Sequence, residues 1–129
     1  MCRTDGGDGP AVSSTTTQVA RKAHKCGECG REIQAGETYT RTWGIWDDHA
    51  STYKTCSHCA IPEEWLAINC DGYIFGEIID DIDEHGRDYQ RTDLRELAAG
   101  AAKKWRTDDG LLMPVPSLPP RLSLNGGGK

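Results

Sequence analysis

Two Cys-x-x-Cys pairs, Cys26-Gly27-Glu28-Cys29 and Cys56-Ser57-His58-Cys59, stand 26 residues apart in a chain poor in material for a core. Leu, Ile, Val and Phe account for only 20 of its 129 residues, and glycine for 15. That aliphatic share lies under the roughly 20% below which chains tend to disorder. Apolar burial alone is therefore too weak to order the molecule, and another cohesive element is needed. Two residues between paired cysteines let both sulfurs turn onto one ion while backbone amides stay free to donate to the thiolates. Two such pairs supply four soft ligands in a closed tetrahedron, the geometry of structural zinc at Zn–S distances of about 2.3 Å. Cys26, Cys29, Cys56 and Cys59 are accordingly the candidate ligands of one Zn²⁺.

Other uses of paired cysteines fit less well. A dithiol redox centre favours one pair beside a βαβ pattern, which the sequence lacks. Two disulfides need an oxidising compartment, and the first residues carry no apolar stretch of the kind a secretory signal has; a reducing, cytoplasmic setting is the expectation. An iron–sulfur cluster has no further clustered cysteines to recommend it. Gly27 and Gly30 flank Cys29 where a tight knuckle wants small residues. Four thiolates around Zn²⁺ leave two negative charges in excess, which Lys25, Arg31 and Lys54, close in sequence, are placed to offset. Zinc binding in small fingers is worth about 10–16 kcal/mol, as much as a whole domain's stability.

Composition divides the chain into three parts. Residues 1–22, rich in Gly, Ser and Thr without a sustained period, read as a disordered arm. Residues 107–129 hold four prolines between Pro114 and Pro120 and a glycine-rich end, so a flexible tail is expected. A proline-rich ligand for an aromatic groove is conceivable around Pro116–Arg121. Between them, residues 23–106 form the expected domain, a small α+β unit stabilised by zinc.

Within it, Glu37–Trp43 alternates Tyr39, Arg41 and Trp43 with threonines, the period of a strand. Asp47–Ser51 supplies turn chemistry and Thr52–Thr55 the returning strand, so a hairpin fills the spacer between the cysteine pairs. Pro62–Asn69 reads as a short helix with Glu63 and Glu64 at its amino end and Trp65, Leu66 and Ile68 available to pack. Ile74, Phe75, Ile78, Ile79 and Ile82 make one apolar helical stripe, with Gly86 as its natural terminator. A third helix is expected to start at a capping Thr92 and to carry Leu94, Leu97, Ala98, Ala101 and Trp105 on one face, weakened by Gly100.

The order knuckle, hairpin, second pair, helix resembles the treble-clef zinc finger. That family places the first pair on a knuckle and the second at the start of a helix. The segment Cys26-Gly-Glu-Cys-Gly-Arg-Glu-Ile33, with Gly36-Glu37-x-Tyr39 and the second pair, is similar to small zinc proteins of phages and prophages. The resemblance spans about residues 24–85 and implies a treble clef followed by two amphipathic helices, with a host-cell cytoplasmic setting. It implies no activity, since treble clefs serve binding, scaffolding and catalysis alike.

Three functional readings follow. Residues 60–90 carry nine acids and one base, and a face of Glu77, Asp80, Asp81 and Glu84 would steer a protein partner with a basic surface, as an adaptor or inhibitor; this reading is favoured. Arg41, Trp43, Trp46 and Lys54 on the hairpin could instead contact phosphate and stack bases of a nucleic acid. The third is an enzyme: Asp48-His49 before a cysteine pair is similar to the His-Me (HNH) nucleases. Only six residues separate His49 from Cys56, however, and no matching Asn and distal His are found, so no catalytic residue is assigned and an exposed turn is expected. His58 is expected to face solvent or to support a ligand, Cys70 to be a buried thiol, and Cys2 to be free. No apolar run approaches the roughly 18 residues of a membrane span, and an acidic total of −5 argues against a non-specific DNA coat.

Overall fold

The computed structural model describes residues 12–46, 48–70 and 73–121. Eight elements follow one another: β1 (Val12–Val19), β2 (His24–Lys25), β3 (Glu32–Ile33), β4 (Thr38–Trp46), β5 (His49–Cys56), α1 (Ala60–Asn69), α2 (Ile78–Asp88) and α3 (Thr92–Ala102). β4 is the centre of a three-stranded antiparallel sheet, with β1 on one side and β5 on the other. β2 and β3 form a separate two-stranded ribbon around the first cysteine pair.

The expected hairpin is present and longer than its sequence signal, with Tyr39 opposite Cys56 and Trp46 opposite His49. The turn places Asp48 at φ +68°, a left-handed conformation that Asp tolerates better than most residues. The third strand corrects the expectation of an arm over residues 1–22. Val12–Val19 pairs with β4 along its whole length, from Val12 opposite Ile45 to Val19 opposite Thr38. Its Ser/Thr composition suits an edge strand whose exposed side chains face water, and Thr15 Oγ1 lies 3.1 Å from Thr42 Oγ1 on the central strand. The expectation for Cys2 falls outside the described residues.

The helices hold further corrections. α1 buries Trp65 and Leu66 but leaves Ile68 exposed. α2 begins only at Ile78, because Gly76 takes φ +90° and breaks the helical path between Phe75 and the stripe. The freed Phe75 stacks on Tyr53 of β5, ring centroids 4.4 Å apart, with Trp46 edge-on to both. Gly86 does not terminate α2 but lies buried within it. A Cβ there would stand 2.6 Å from Arg95 Cγ and 3.0 Å from Arg95 N, so this glycine is where α2 and α3 touch. Thr92 makes no side-chain cap; the chain enters α3 through Asp93, whose carboxylate takes two hydrogen bonds from Arg91 and one from the Leu94 amide.

α3 stops at Ala102, and Lys104 and Trp105 take φ +55° and +58°. These two left-handed residues fold Trp105 back onto the helix instead of extending its apolar face. Through residue 121 the chain does not trail away as the expected tail, and residues 122–129 of that expectation fall outside the described residues. Thr107–Leu111 turns, Arg106 bridges Leu112, and residues 113–120 run back across the helices, where Trp65 Nε1 donates to Pro120 O over 3.0 Å. The core joins Cys26, Ile33, Tyr39, Cys56 and Cys59 to Trp65, Leu66, Ile78, Ile82, Leu94, Leu97 and Trp105 in one cluster. Among the described residues no helix is long and apolar enough to cross a membrane.

Candidate metal centre

The first pair sits on a turn closed by the ribbon. Cys26 N donates to Arg31 O and Gly30 N to Cys26 O, and Gly30 takes φ +79°, a conformation open to glycine. Gly27 serves otherwise than by backbone freedom: its amide donates to Lys54 O at 2.8 Å and ties the knuckle to β5. The second pair spans the end of β5 and the residue before α1, so strand and helix geometry fix both sulfurs. The spacer of 26 residues is thus consumed by β3, β4 and β5.

These elements bring the four sulfurs within 4.8 Å of one another. Sulfurs about 2.3 Å from a shared ion lie about 3.8 Å apart, and Cys29 Sγ and Cys56 Sγ are 3.9 Å apart. Cys26, Cys56 and Cys59 are buried and Cys29 half-buried. Without a cation the cluster cannot ionise evenly. The hydrogen bond from Cys29 pulls Cys26 down to about 7, and bonds from its neighbours pull Cys56 down further, while Cys29 and Cys59 are driven up as the proton-holding partners. A divalent ion resolves this by replacing the protons. The four cysteines can therefore coordinate a metal ion, and an all-sulfur, closed set suits zinc.

Groups around the sulfurs complete the site. Glu28 N and Cys56 N each point at Cys26 Sγ from 3.4 Å, and Cys59 N at Cys56 Sγ from 3.5 Å. Trp105 Nε1 donates to Cys59 Sγ at 3.3 Å, a contact between residues 46 apart in the chain. Of the three cations expected to offset the thiolates, Arg31 does so directly. Its side chain is 1% exposed and forms a two-pronged pair with Glu37, at 2.8 and 3.1 Å. Burial would lower the guanidinium, but Glu37 and the Cys56 sulfur outweigh that and hold it charged. Lys25 is exposed, and Lys54 donates to His24.

His58 is buried, not solvent-facing, and supports the site from behind. Its Nδ1 lies 3.2 Å from Arg31 Nη2 and its Nε2 contacts Met113 O. Arginine has only donors and a carbonyl only accepts, so Nδ1 is the bare nitrogen and Nε2 carries the hydrogen. Glu28, inside the first pair, reaches away from the metal and accepts from Gly76 N and Ile78 N at the start of α2. Support of the site was one of the two roles expected of His58; the role of Glu28 was not visible in the sequence, because its partners lie about 50 residues away.

The other candidate residues are divided by the fold. Asp81 leaves the proposed acidic face: it is 1% exposed and its Oδ1 lies 3.0 Å from Nδ1 of the equally buried His85. Asp80 and Glu84 are exposed and Glu77 is half-buried. Cys70 is buried, with Sγ 3.6 Å from His85 Nε2. On the hairpin, Arg41 and Lys54 are cross-strand partners, and Trp43 lies two residues further along the same face. Trp46 points to the opposite face, against Tyr53 and Phe75. His49 stands exposed at the hairpin tip.

The Arg41 face continues into an open cleft of about 1000 Å³ lined by Gln18, Val19, Arg21, Lys22, His24 and Tyr39. His24 joins cleft and face, packing on Tyr39 at 5.1 Å and accepting from Lys54 Nζ at 3.2 Å. Burial, then the charges of Lys54 and Lys22, push the His24 imidazole down. No protein-family model, curated protein or solved structure matches the chain.

Proposed function

We propose that this protein is a treble-clef zinc module with a binding, non-catalytic role, and that it holds single-stranded nucleic acid on the β1–β4–β5 face. The knuckle at Cys26–Cys29, the β4–β5 hairpin and the second pair at the head of α1 support the treble clef. Four sulfur ligands leave a tetrahedral ion no open position for water or substrate, which supports a structural metal. The kinship with small zinc proteins of phages rests on the knuckle sequence and belongs to this proposal.

One observation carries the binding surface. Arg41 and Lys54 face each other across β4 and β5, with Trp43 beside them and Arg21, Lys22, His24 and Tyr39 continuing the tract. Cations spaced along a strand suit a phosphate chain, and a half-exposed indole among them suits a splayed base. The acidic helix is the weaker surface, since Asp81 is withdrawn from it and Asp83 is paired with Arg87 at 2.9 Å. Net charge −5 keeps such binding confined to this one face instead of coating DNA at large.

The test is a titration of the zinc-loaded protein into a fluorescent single-stranded oligonucleotide at several salt concentrations. Binding that weakens steeply with salt is expected. Arg41→Ala and Lys54→Ala should each lower the slope of log K against log salt by about 0.7. Trp43→Ala should weaken binding by about 1–3 kcal/mol with little change in slope. Absence of binding at low salt rejects this surface.

A further inference from the structure

The proline-rich segment is docked with a period of three. Met113, Pro116 and Pro119 turn inward, Pro119 buried and the other two half-buried, while Leu112, Val115 and Leu118 remain exposed. Three residues per turn is the repeat of the polyproline II helix. Such a helix makes no hydrogen bonds of its own, so its carbonyls are open to donors on whatever receives it. Here two side chains from different elements converge on one of them: Trp65 Nε1 and Arg91 Nη2 each donate to Pro120 O at 3.0 Å. Further back, His58 Nε2 takes Met113 O. Between segment and helix a cavity of about 360 Å³ persists, walled by Asp93, Glu96, Leu97 and Trp105 on one side and residues 116–120 on the other. An indole donor beside an aromatic wall is how proline-rich peptides are gripped by their receptors. A core segment would fill such a space; this one lies across it.

We propose that the groove formed by α1, α3 and Trp105 is a receptor site for proline-rich peptides in the polyproline II conformation, and that residues 113–120 are its resident ligand in cis. A protein partner presenting a Pro-x-x-Pro segment would compete for the groove by matching the inward edge of Met113, Pro116 and Pro119. This surface is separate from the β1–β4–β5 face and does not depend on nucleic-acid binding. In the resting protein the site is closed by mass action, because a tethered segment reaches an effective concentration on the order of mM.

The experiment uses the full-length, zinc-loaded chain carrying Pro116→Asp and Pro119→Asp, which undocks the segment without shortening the protein. The probe is a synthetic peptide of residues 112–121. Tryptophan emission reports its docking, and circular dichroism and zinc content report the fold. The variant is expected to stay folded, to shift its emission, and to bind the peptide one to one with recovery of the wild-type spectrum. The wild type should bind the peptide at least about tenfold more weakly, because its own segment competes. A peptide with both inward prolines replaced should not bind, and Trp65→Phe added to the variant should weaken the intact peptide about tenfold through loss of its donor. A folded variant that ignores the peptide overturns the proposal. So does equal binding by wild type and variant, and so does loss of fold or zinc in the variant, since the segment would then be core and not ligand.

Discussion

Trp105 donates its indole N–H to the sulfur of Cys59 across 3.3 Å, and this bond ties the end of the last helix to the candidate metal centre. The ring reaches there only because Lys104 and Trp105 both turn left-handed after α3. It is held from the other side by His58, whose ring lies 5.4 Å from it. An N–H aimed at a thiolate stabilises its charge and fixes its direction, the part that groups behind metal ligands commonly play. The C-terminal half is thus built into the metal centre and not merely appended to it.

Trp105→Phe keeps an aromatic ring and removes the donor. Zinc affinity should fall by about tenfold, the lower end of what loss of such a supporting bond costs. Competition against a chromogenic chelator measures it. A strong chelator in excess should abolish the near-ultraviolet circular dichroism of the wild type and the variant alike, because the ion supplies cohesion that 20 large aliphatic and Phe residues cannot.

Gly100→Ala reverses the ordinary helix rule. Alanine is the better helix former by about 1 kcal/mol, yet a Cβ at this position would stand 2.5 Å from Trp105 Cζ3 and 2.7 Å from Cε3. The indole must then move off Cys59, and the net effect should be destabilising by about 1–3 kcal/mol. In a Trp105→Ala background the same change should be neutral or stabilising. Urea titration of the four chains in this cycle separates the two signs.

The sequence carried the metal centre almost entirely, because a Cys-x-x-Cys pair is a local pattern whose chemistry fixes its geometry. The β4–β5 hairpin was legible for the same reason, in the alternation of Tyr39, Arg41 and Trp43 with threonines. What escaped was set by distant partners. Val12–Val19 has no apolar alternation and is a strand because β4 offers it an edge. Ile74 and Phe75 continue the helical stripe on paper, but Gly76 and the stacking of Phe75 on Tyr53 take them out of it. Asp81 looked like surface charge, and only its i, i+4 spacing to His85 hinted at the buried pair. The prolines of residues 114–120 read as a loose tail because composition does not show that Trp65 and Arg91 wait for a carbonyl.

Glu28 belongs to the knuckle by sequence and to α2 by function. Its two carboxylate oxygens accept from Gly76 N at 2.6 Å and Ile78 N at 3.1 Å, satisfying amides at a helix start that Glu77 does not cap. Glu28→Ala should cost about 1–2 kcal/mol, as loss of a helix cap does, while zinc stoichiometry stays at one per chain. Hydrogen exchange should quicken at Gly76 and Ile78 and leave the β4–β5 amides unchanged. Equal exchange at the head of α2 in both proteins would show that the knuckle does not hold this helix.

Glu63 sets a pH dependence of opposite sign to that of the Arg31–Glu37 pair. Its side chain is buried in the first turn of α1, and burial raises the carboxyl above its ordinary 4.5; the hydrogen bond with Tyr73 pulls the other way and the Glu28 charge adds to the rise. A raised folded value means that the native state holds the proton more tightly than the unfolded chain does. The stability this contributes is complete below about pH 4.5 and is lost as pH climbs through the raised folded value. Arg31 lowers the Glu37 carboxyl, so that pair contributes above the ordinary range and is lost on acidification through the lowered value. Glu63→Gln keeps an acceptor for the Tyr73 hydroxyl and removes the ionisation. Its Tm should exceed that of the wild type near pH 7.5, and the gap should close toward pH 4.5. Acid strips zinc from thiolates in both chains, so the quantity to follow is the difference between them across matched buffers. A gap that stays constant over this range would mean that the Glu63 carboxyl does not titrate differently in the folded protein.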